Sequence, residues 1–171
     1  MHPYIHAGTT PDKPAYIMAG SGEVVTYRQL EERSNRIAQL FRDRGLKAGD
    51  HIAIFLENHP RFFEICWAAQ RSGLVYTAVS SRLTAAEVDY IVADCGARLL
   101  VTSKHLEKPA AELAGLMPGV GSRLMIDGTI AGYEPFEATV ARYPATRIAD
   151  EVSGQDMLYS SGTTGRPKGV M

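Results

Sequence analysis

The chain has 171 residues, of which 45% are hydrophobic and 22% are charged, and its formal net charge is -1. These values are typical of a globular protein with its own core, and they exclude disordered, collagen-like and small disulfide-stapled chains. Lysine and arginine alternate with aspartate and glutamate along the chain, so no basic groove for nucleic acid is expected.

The amino-terminal part of the chain predicts a short hairpin. Residues 8–14 are rich in glycine, threonine and proline and are expected to form a loop. Residues 15–18 and 23–25 flank a glycine-rich turn at 20–22, which is typical of two short antiparallel strands. The first predicted helix follows this hairpin.

That helix begins with a recognisable signal. Thr26 is a good N-cap residue and Gln29 stands three positions later, as a capping box requires. Gly45 is expected to end the helix. The apolar side chains between them recur at helical spacing: Tyr27, Leu30, Ile37, Ala38 and Phe41.

Strand-length apolar runs alternate with helical patterns in the middle of the chain. The predicted strands are 52–56, 74–79 and 98–102. The helix between the first two opens near Pro60, which a first helical turn tolerates, and ends at Gly73. Between the last two strands, Thr84 and Glu87 form a second capping box and Gly96 ends the helix.

The remaining elements are weaker. Ser103 is predicted to cap a helix that runs through Leu113. The elements predicted after it are a strand at 123–126, a helix at 134–142, a linker at 144–153 and a strand at 155–159.

Alternation of strands and helices predicts the fold class. Connections that are too long for hairpins imply right-handed crossovers and a mostly parallel sheet with helices on both faces. The expected fold is therefore a doubly wound α/β domain. We expect residues 1–154 to form an amino-terminal α/β subdomain and residues 155–171 to add a strand and a phosphate-binding loop.

The stretch from Tyr159 to Val170, YSSGTTGRPKGV, is the most informative part of the chain. Its glycines allow the backbone to bend tightly and to turn N–H groups toward one point, which suits phosphate oxygens. Hydroxyl side chains add donors, and Arg166 and Lys168 add positive charge. The sequence predicts an anion-binding loop at the end of a strand, where open α/β sheets place their ligands.

Other phosphate motifs and a hydrolase motif do not fit. Walker A requires a second glycine where Pro167 stands. A dinucleotide fingerprint requires a third glycine where Leu124 stands, and the glycines at 119–121 precede a strand. The chain contains no Gly-x-Ser-x-Gly elbow, so no hydrolase nucleophile can be named.

The terminal stretch resembles the signature phosphate loop of the adenylate-forming (AMP-binding) superfamily. This superfamily includes acyl-CoA synthetases, peptide-synthetase adenylation domains and luciferases. Residues 25–30 and 49–53 are similar to its opening helix and strand entry, although His51 stands where arginine is common. The resemblance covers essentially the whole chain and is closest to the fatty-acyl type.

The resemblance implies a reaction and a binding loop. ATP and a carboxylic acid would form an acyl-adenylate and pyrophosphate, and the thiol of coenzyme A would then displace AMP; Mg²⁺ accompanies the nucleotide. Ser161, Thr163, Thr164 and Lys168 would contact the β- and γ-phosphates. The residues implied in nucleotide binding are Ser160, Ser161, Gly162, Thr163, Thr164, Gly165, Lys168 and Gly169.

The resemblance places the other functional residues of the family after Met171, so we expect no catalytic residue and no metal ligand in this chain. The chain is therefore expected to be a truncated amino-terminal portion that does not catalyse adenylation alone. Surface exposed by the truncation predicts self-association or partial disorder near the carboxy terminus. Aryl-CoA ligases and peptide-synthetase adenylation domains stay open as alternatives, as does a non-catalytic nucleotide-binding or scaffolding fragment.

Two features bear on the location of the protein. Cys66 and Cys95 match no zinc or redox spacing, which predicts buried, reduced thiols and favours the cytoplasm. No apolar run approaches the ~20 residues needed to cross a bilayer, and the amino terminus lacks a secretory signal pattern, so no integral membrane segment is expected.

Overall fold

A computed structural model describes residues 3–160 and 168–171 of the chain. Its helices are α1 (Tyr4–Thr9), α2 (Tyr27–Asp43), α3 (Arg61–Arg71), α4 (Ala85–Asp94), α5 (Glu107–Leu113) and α6 (Phe136–Val140). Its strands are β1 (Pro14–Ile17), β2 (Val24–Thr26), β3 (His51–Leu56), β4 (Val75–Ser80), β5 (Ala97–Ser103), β6 (Ser122–Ile126), β7 (Glu134–Pro135), β8 (Gln155–Asp156), β9 (Leu158–Ser160) and β10 (Lys168–Val170).

The centre of the fold is a parallel sheet with the strand order β7-β6-β5-β3-β4-β8. Side chains of α2, α3 and α6 pack on one face with Ile52 and Ile54, while α4 and α5 pack on the other with Ala53 and Phe55. Because β3 is covered on both faces, it reads as a continuous apolar run rather than an alternating one. The predicted doubly wound α/β fold is confirmed.

The predicted helix signals at α2 and α4 are also confirmed. Thr26 with Gln29, and Thr84 with Glu87, form complete capping boxes. Gly45, with a φ of +73°, follows α2 in the left-handed conformation that ends many helices. The hairpin of β1 and β2 lies where the sequence predicts it.

Several predicted elements are wrong in their bounds. Helix α1 occupies part of the expected loop at 8–14, and it has no side-chain cap and no buried residue. Ser103 stands at the start of a 3-10 helix, Lys104–Leu106, that leads into α5, but its hydroxyl donates to Glu57 Oε2 at 2.6 Å and makes no cap hydrogen bond. The helix expected at 134–142 is the edge strand β7 followed by the short helix α6.

The single strand expected at 155–159 is in fact two strands. β8 pairs in parallel with Val75 and Tyr76 of β4, whereas β9 pairs antiparallel with β10. The change occurs after Met157, whose N–H donates to the carbonyl of Tyr76 at 2.9 Å. β10 supplies β9 with a backbone partner outside the main sheet, and no local sequence pattern reveals such a partner.

Among the residues that the structure describes, no helix has both the length and the apolar character that a membrane span requires.

Candidate functional site

Residues 143–154, called the strap below, connect α6 to β8 and are held along one side of α2. Asn35 Nδ2 donates to the carbonyl of Ala145 at 2.9 Å, and Arg42 Nε lies 3.0 Å from Asp150 Oδ2. Gln39 Nε2, one helical turn after Asn35, donates to the carbonyl of Thr146 at 2.9 Å. Polar side chains at helical spacing therefore fix the backbone of the strap.

A buried ion pair network secures the end of the strap. The side chain of Arg71 is 0% exposed, and its guanidinium lies 2.5 Å from Glu31 Oε2 and 3.3 Å from Glu151 Oε1. A buried guanidinium is tolerated only when carboxylates and hydrogen bonds replace its water. Arg71 thus joins α2, α3 and the strap at one point.

The strap enters the sheet by close backbone contact. Gly154 N donates to the carbonyl of Gln70 at 2.7 Å, and Gln155 N donates to the carbonyl of Leu74 at 3.1 Å. A Cβ atom on Gly154 would lie 2.3 Å from the Leu74 carbonyl oxygen, so only glycine fits at this position without displacement. This contact sets where β8 begins, and β9 starts at Leu158, three residues after Gln155.

β9 and β10 form the hairpin that carries the predicted phosphate-binding residues. Ser160 lies directly opposite Lys168, and both side chains are exposed. Directly opposed residues of an antiparallel pair project to the same face, so a hydroxyl and an ammonium group stand side by side. Ser160, Lys168 and Gly169 belong to the described residues; the predicted binding residues Ser161, Gly162, Thr163, Thr164 and Gly165 lie outside them.

Tyr159 holds the other face of this hairpin. Its hydroxyl donates to Asp94 Oδ2, the last residue of α4, at 2.6 Å, and its ring packs against the core under α4. Burial, with the hydrogen bond to Asp94, raises the pKa of Tyr159, so the phenol keeps its proton and remains a donor. Gly169 lies opposite Tyr159, and a Cβ there would come within 2.0 Å of Met157 Cε and 3.3 Å of Tyr159 Cζ.

Neither Tyr159 nor Asp94 is among the site residues predicted from the sequence. A signal for Tyr159 existed, because alternation along Leu158, Tyr159 and Ser160 places the tyrosine on the face opposite the serine. Asp94 had no local signal, since it lies 65 positions away from Tyr159 in the chain.

A separate cavity of about 860 Å³ opens at the carboxyl end of β3. It is lined by the β1–β2 hairpin, by residues 56–63 and by Asp127. His59 Nε2 lies 3.1 Å from Asp127 Oδ2, and His59 Nδ1 accepts from the backbone N–H of Arg61 at 3.1 Å. Both ring nitrogens are therefore engaged, and none of the described residues of the β9–β10 hairpin lines this cavity.

The two thiols lie in the core. Cys66 and Cys95 are both free and buried, as predicted. Burial raises the pKa of Cys66 to about 12 and also raises the pKa of Cys95. Neutral, buried thiols are poor nucleophiles, so neither cysteine provides chemistry at the hairpin.

Comparison with known proteins gives a consistent assignment. The family described as AMP-binding enzyme matches residues 5–171. A fatty acid–[acyl-carrier-protein] ligase, ScoC, of Streptomyces coeruleorubidus is 34% identical over 168 residues, which cover 97% of this chain and 31% of that protein. A feruloyl-CoA synthase of an Amycolatopsis species is 34% identical over 151 residues, which cover 88% of this chain and 28% of the relative.

The fold comparison agrees. The crystal structure of the anthranilate CoA ligase AuaEII in complex with anthranoyl-AMP superposes with a TM-score of 0.85 at 20% identity, over 98% of this chain and 32% of that chain. At this identity the likeness establishes the fold alone. The chain spans about a third of the length of the proteins that it matches.

Proposed function

Since the chain belongs to the AMP-binding enzyme family, we propose that it supplies the nucleotide-phosphate grip of an ATP-dependent acid–thiol ligase. In this reaction a carboxylic acid attacks the α-phosphate of ATP to form an acyl-adenylate and pyrophosphate. The thiol of coenzyme A then attacks the acyl carbon and releases AMP. The relatives named above include a fatty acid–[acyl-carrier-protein] ligase and a feruloyl-CoA synthase, which supports this class of reaction.

The observation that carries the proposal is the cross-strand placement of Ser160 and Lys168 on one exposed face. The ammonium group of Lys168 offers a positive charge to the β- and γ-phosphates, where charge grows as pyrophosphate leaves. The hydroxyl of Ser160 adds a donor beside it. Ser161, Thr163 and Thr164 would complete the set of donors, and Gly162, Gly165 and Gly169 would permit the backbone to approach the phosphates.

We propose that Mg²⁺ enters with the nucleotide. Mg²⁺ keeps several waters and is bound largely through substrate phosphates; the exposed hydroxyl of Ser160 would offer it an oxygen, whereas the ammonium group of Lys168 would contact the phosphates and not the metal. When bound, it neutralises charge on the phosphate oxygens. The residues of this chain position the polyphosphate and perform no covalent step.

We propose a fatty acid as the first substrate to test and an aryl acid as the alternative. A fatty-acid ligase and a feruloyl-CoA synthase are each 34% identical to this chain, so identity alone does not separate the two acids. A carrier-protein thiol is the alternative acceptor to coenzyme A, since one relative is named for it. The buried thiols suit our proposed cytoplasmic location.

A nuclear magnetic resonance titration of the chain tests the proposed grip directly. Mg²⁺–ATP and tripolyphosphate should shift the backbone amides of β9 and β10, whereas adenosine should not. Lys168→Ala should weaken binding at least about tenfold, on the scale of a charge-assisted contact. Lys47→Ala, which removes an exposed lysine between α2 and β3, is the matched control. Equal shifts with adenosine, or unchanged binding by Lys168→Ala, would contradict the proposal.

Pyrophosphate exchange separates an enzyme from a non-catalytic nucleotide-binding or scaffolding protein. We propose that the chain alone does not catalyse exchange, because about two thirds of the relatives' length has no counterpart in it. Hybrids that join residues 5–171 to the rest of either relative should catalyse exchange, and Lys168→Ala should abolish it. Comparing a fatty acid with ferulate in both hybrids would show whether this chain itself favours the fatty acid.

A further inference from the structure

The phosphate-binding hairpin has two faces with different surroundings. Ser160 and Lys168 lie on the exposed face, and Tyr159 and Gly169 form the opposite face, which is turned toward α4. The ring of Tyr159 and the side chain of Met157 pack against the buried cluster that includes Val88, Ile91 and Val92 of α4. Whatever holds Tyr159 therefore also sets the direction in which Ser160 and Lys168 point.

The hydrogen-bond partner of Tyr159 is attached to a rigid element. α4 begins with a capping box, and its apolar face is fully packed. Asp94 is the final residue of this helix, so its carboxylate has little freedom to follow a moving loop. A bond from Tyr159 to Asp94 thus ties the hairpin to the body of the fold.

The negative charge of Asp94 is also unfavourable at its position, the carboxyl end of α4. The carboxyl end of a helix carries partial negative charge and favours lysine, arginine or histidine. The last turn of α4 contains no basic residue and ends in an aspartate. A residue that opposes a local preference in this way is expected where another requirement prevails, and the 2.6 Å bond from Tyr159 supplies that requirement.

We propose that Asp94 is a positioning residue for nucleotide binding and that it acts through Tyr159. The bond holds the Tyr159 ring against Gly169, so both strands of the hairpin keep one orientation. Ser160 and Lys168 are thereby presented together, away from α4, before the nucleotide arrives. This role rests on the proposed function of the hairpin, although the anchoring itself can be measured without any nucleotide.

The first measurement is amide hydrogen exchange of β9 and β10 in the free chain. Tyr159→Phe removes only the hydroxyl, and Asp94→Ala removes only the acceptor. Both variants should exchange about fivefold to tenfold faster at these amides, as expected for loss of a bond to a charged acceptor. Asp94→Asn keeps an acceptor and should restore most of the protection. Asp89→Ala, on the same helix, is the control and should leave these amides unchanged.

The second measurement is the dissociation constant for tripolyphosphate in the same variants. Tyr159→Phe and Asp94→Ala should bind about threefold to tenfold more weakly, while the midpoint of urea unfolding stays close to that of the parent chain because Asp94 is exposed. Asp94→Asn should bind almost as well as the parent. A role in stability alone would shift the unfolding midpoint and would not be rescued in this way.

The outcomes distinguish the two proposals. If Lys168→Ala loses tripolyphosphate binding but the Asp94 variants bind normally, the positioning role is wrong and the proposed function stands. If Lys168→Ala binds tripolyphosphate normally, or if the parent chain does not bind it, the proposed function fails. Amide hydrogen exchange alone then shows whether Asp94 anchors the hairpin through Tyr159. Unchanged exchange in both Tyr159→Phe and Asp94→Ala would overturn the inference in every case.

Discussion

The strap and the β9–β10 hairpin are neighbours in sequence but are attached to the fold in opposite ways. The strap is joined to α2 and α3 by side-chain hydrogen bonds, by the buried Arg71 and by the close backbone contact at Gly154. The hairpin is joined by the ring of Tyr159 and by its bond to Asp94, and its other face is exposed. The chain therefore fixes the start of β8 and leaves Ser160 and Lys168, the described residues of the proposed phosphate site, exposed.

This contrast has a physical cause. A buried ion pair network cannot be rearranged cheaply, because each charge must keep its partners. A single hydrogen bond with one partly exposed ring can open and close at low cost. A loop that admits and releases a nucleotide, as proposed for this hairpin, is suited to attachment by one hydrogen bond and one ring. The buried network of the preceding strap then fixes where the hairpin starts.

The largest expected effect comes from removing the guanidinium of the strap. Arg71→Met removes the guanidinium partner of the largely buried Glu31 and leaves Glu151 with Arg147 alone, which should lower the free energy of unfolding by about 3–5 kcal/mol. Urea denaturation followed by circular dichroism would measure it. Arg28→Met removes an ion pair with Asp12 in which the arginine side chain is 53% exposed and the aspartate side chain is 81% exposed. This variant should lower the free energy of unfolding by less than about 1 kcal/mol. Equal losses of stability in Arg71→Met and Arg28→Met would mean that the buried ion pair network does not hold the strap more firmly than a surface ion pair would.

The next effect tests the close contact where the strap enters the sheet. Gly154→Ala places a methyl group against the backbone carbonyl of Leu74, which has no freedom to rotate away, so we expect a loss of about 1–3 kcal/mol. Gly119→Ala, where a Cβ meets no atom within 4 Å, should change stability by less than about 1 kcal/mol in either direction. Urea midpoints of the two variants would show the difference, and a stable Gly154→Ala would mean that the strap can shift.

The elements that the sequence predicts correctly are those whose signals are local. The capping boxes at Thr26 and Thr84 and the apolar run of β3 contain their own information, because each depends on residues within a few positions. The doubly wound fold is predicted from the alternation of such strands and helices along the chain.

The elements that it misses depend on distant partners. Ser103 has a good local capping pattern, but its hydroxyl donates instead to the carboxylate of Glu57, which directly follows the neighbouring strand β3. Helix α1 has no side-chain cap and no apolar period; it is held by a tilted contact between the rings of His6 and Tyr27, whose centroids are 4.8 Å apart, and by Arg147 over the Tyr4 ring at 4.5 Å. The bond between Asp94 and Tyr159 is of the same kind, since it joins residues 65 positions apart, and it could not be predicted from the sequence near Tyr159.

A smaller effect on stability is expected from the glycine of the hairpin. Gly169→Ala brings a Cβ against the terminal methyl of Met157, which can rotate away, and against the edge of the Tyr159 ring. We expect a loss of less than about 1 kcal/mol, well below that of Gly154→Ala. Displacement of Tyr159 should nevertheless raise the dissociation constant for tripolyphosphate. A large loss of stability with normal binding would reverse the proposed roles of the two glycines.

The smallest effect concerns the exposed face of the hairpin. Leu158 and Val170 lie opposite each other on the same face as Ser160 and Lys168, and they are 57% and 56% exposed. Such an apolar pair favours contact with a second copy at high concentration, so light scattering should detect weak, concentration-dependent self-association of the chain. Leu158→Asn should reduce it, whereas Leu116→Asn, which removes a leucine that is 47% exposed after α5, should not. Because the anchoring residues lie on the other face, Leu158→Asn should keep the hydrogen exchange of β10 unchanged. If it accelerated that exchange, the stability of the hairpin would depend on its exposed face as well as on Tyr159.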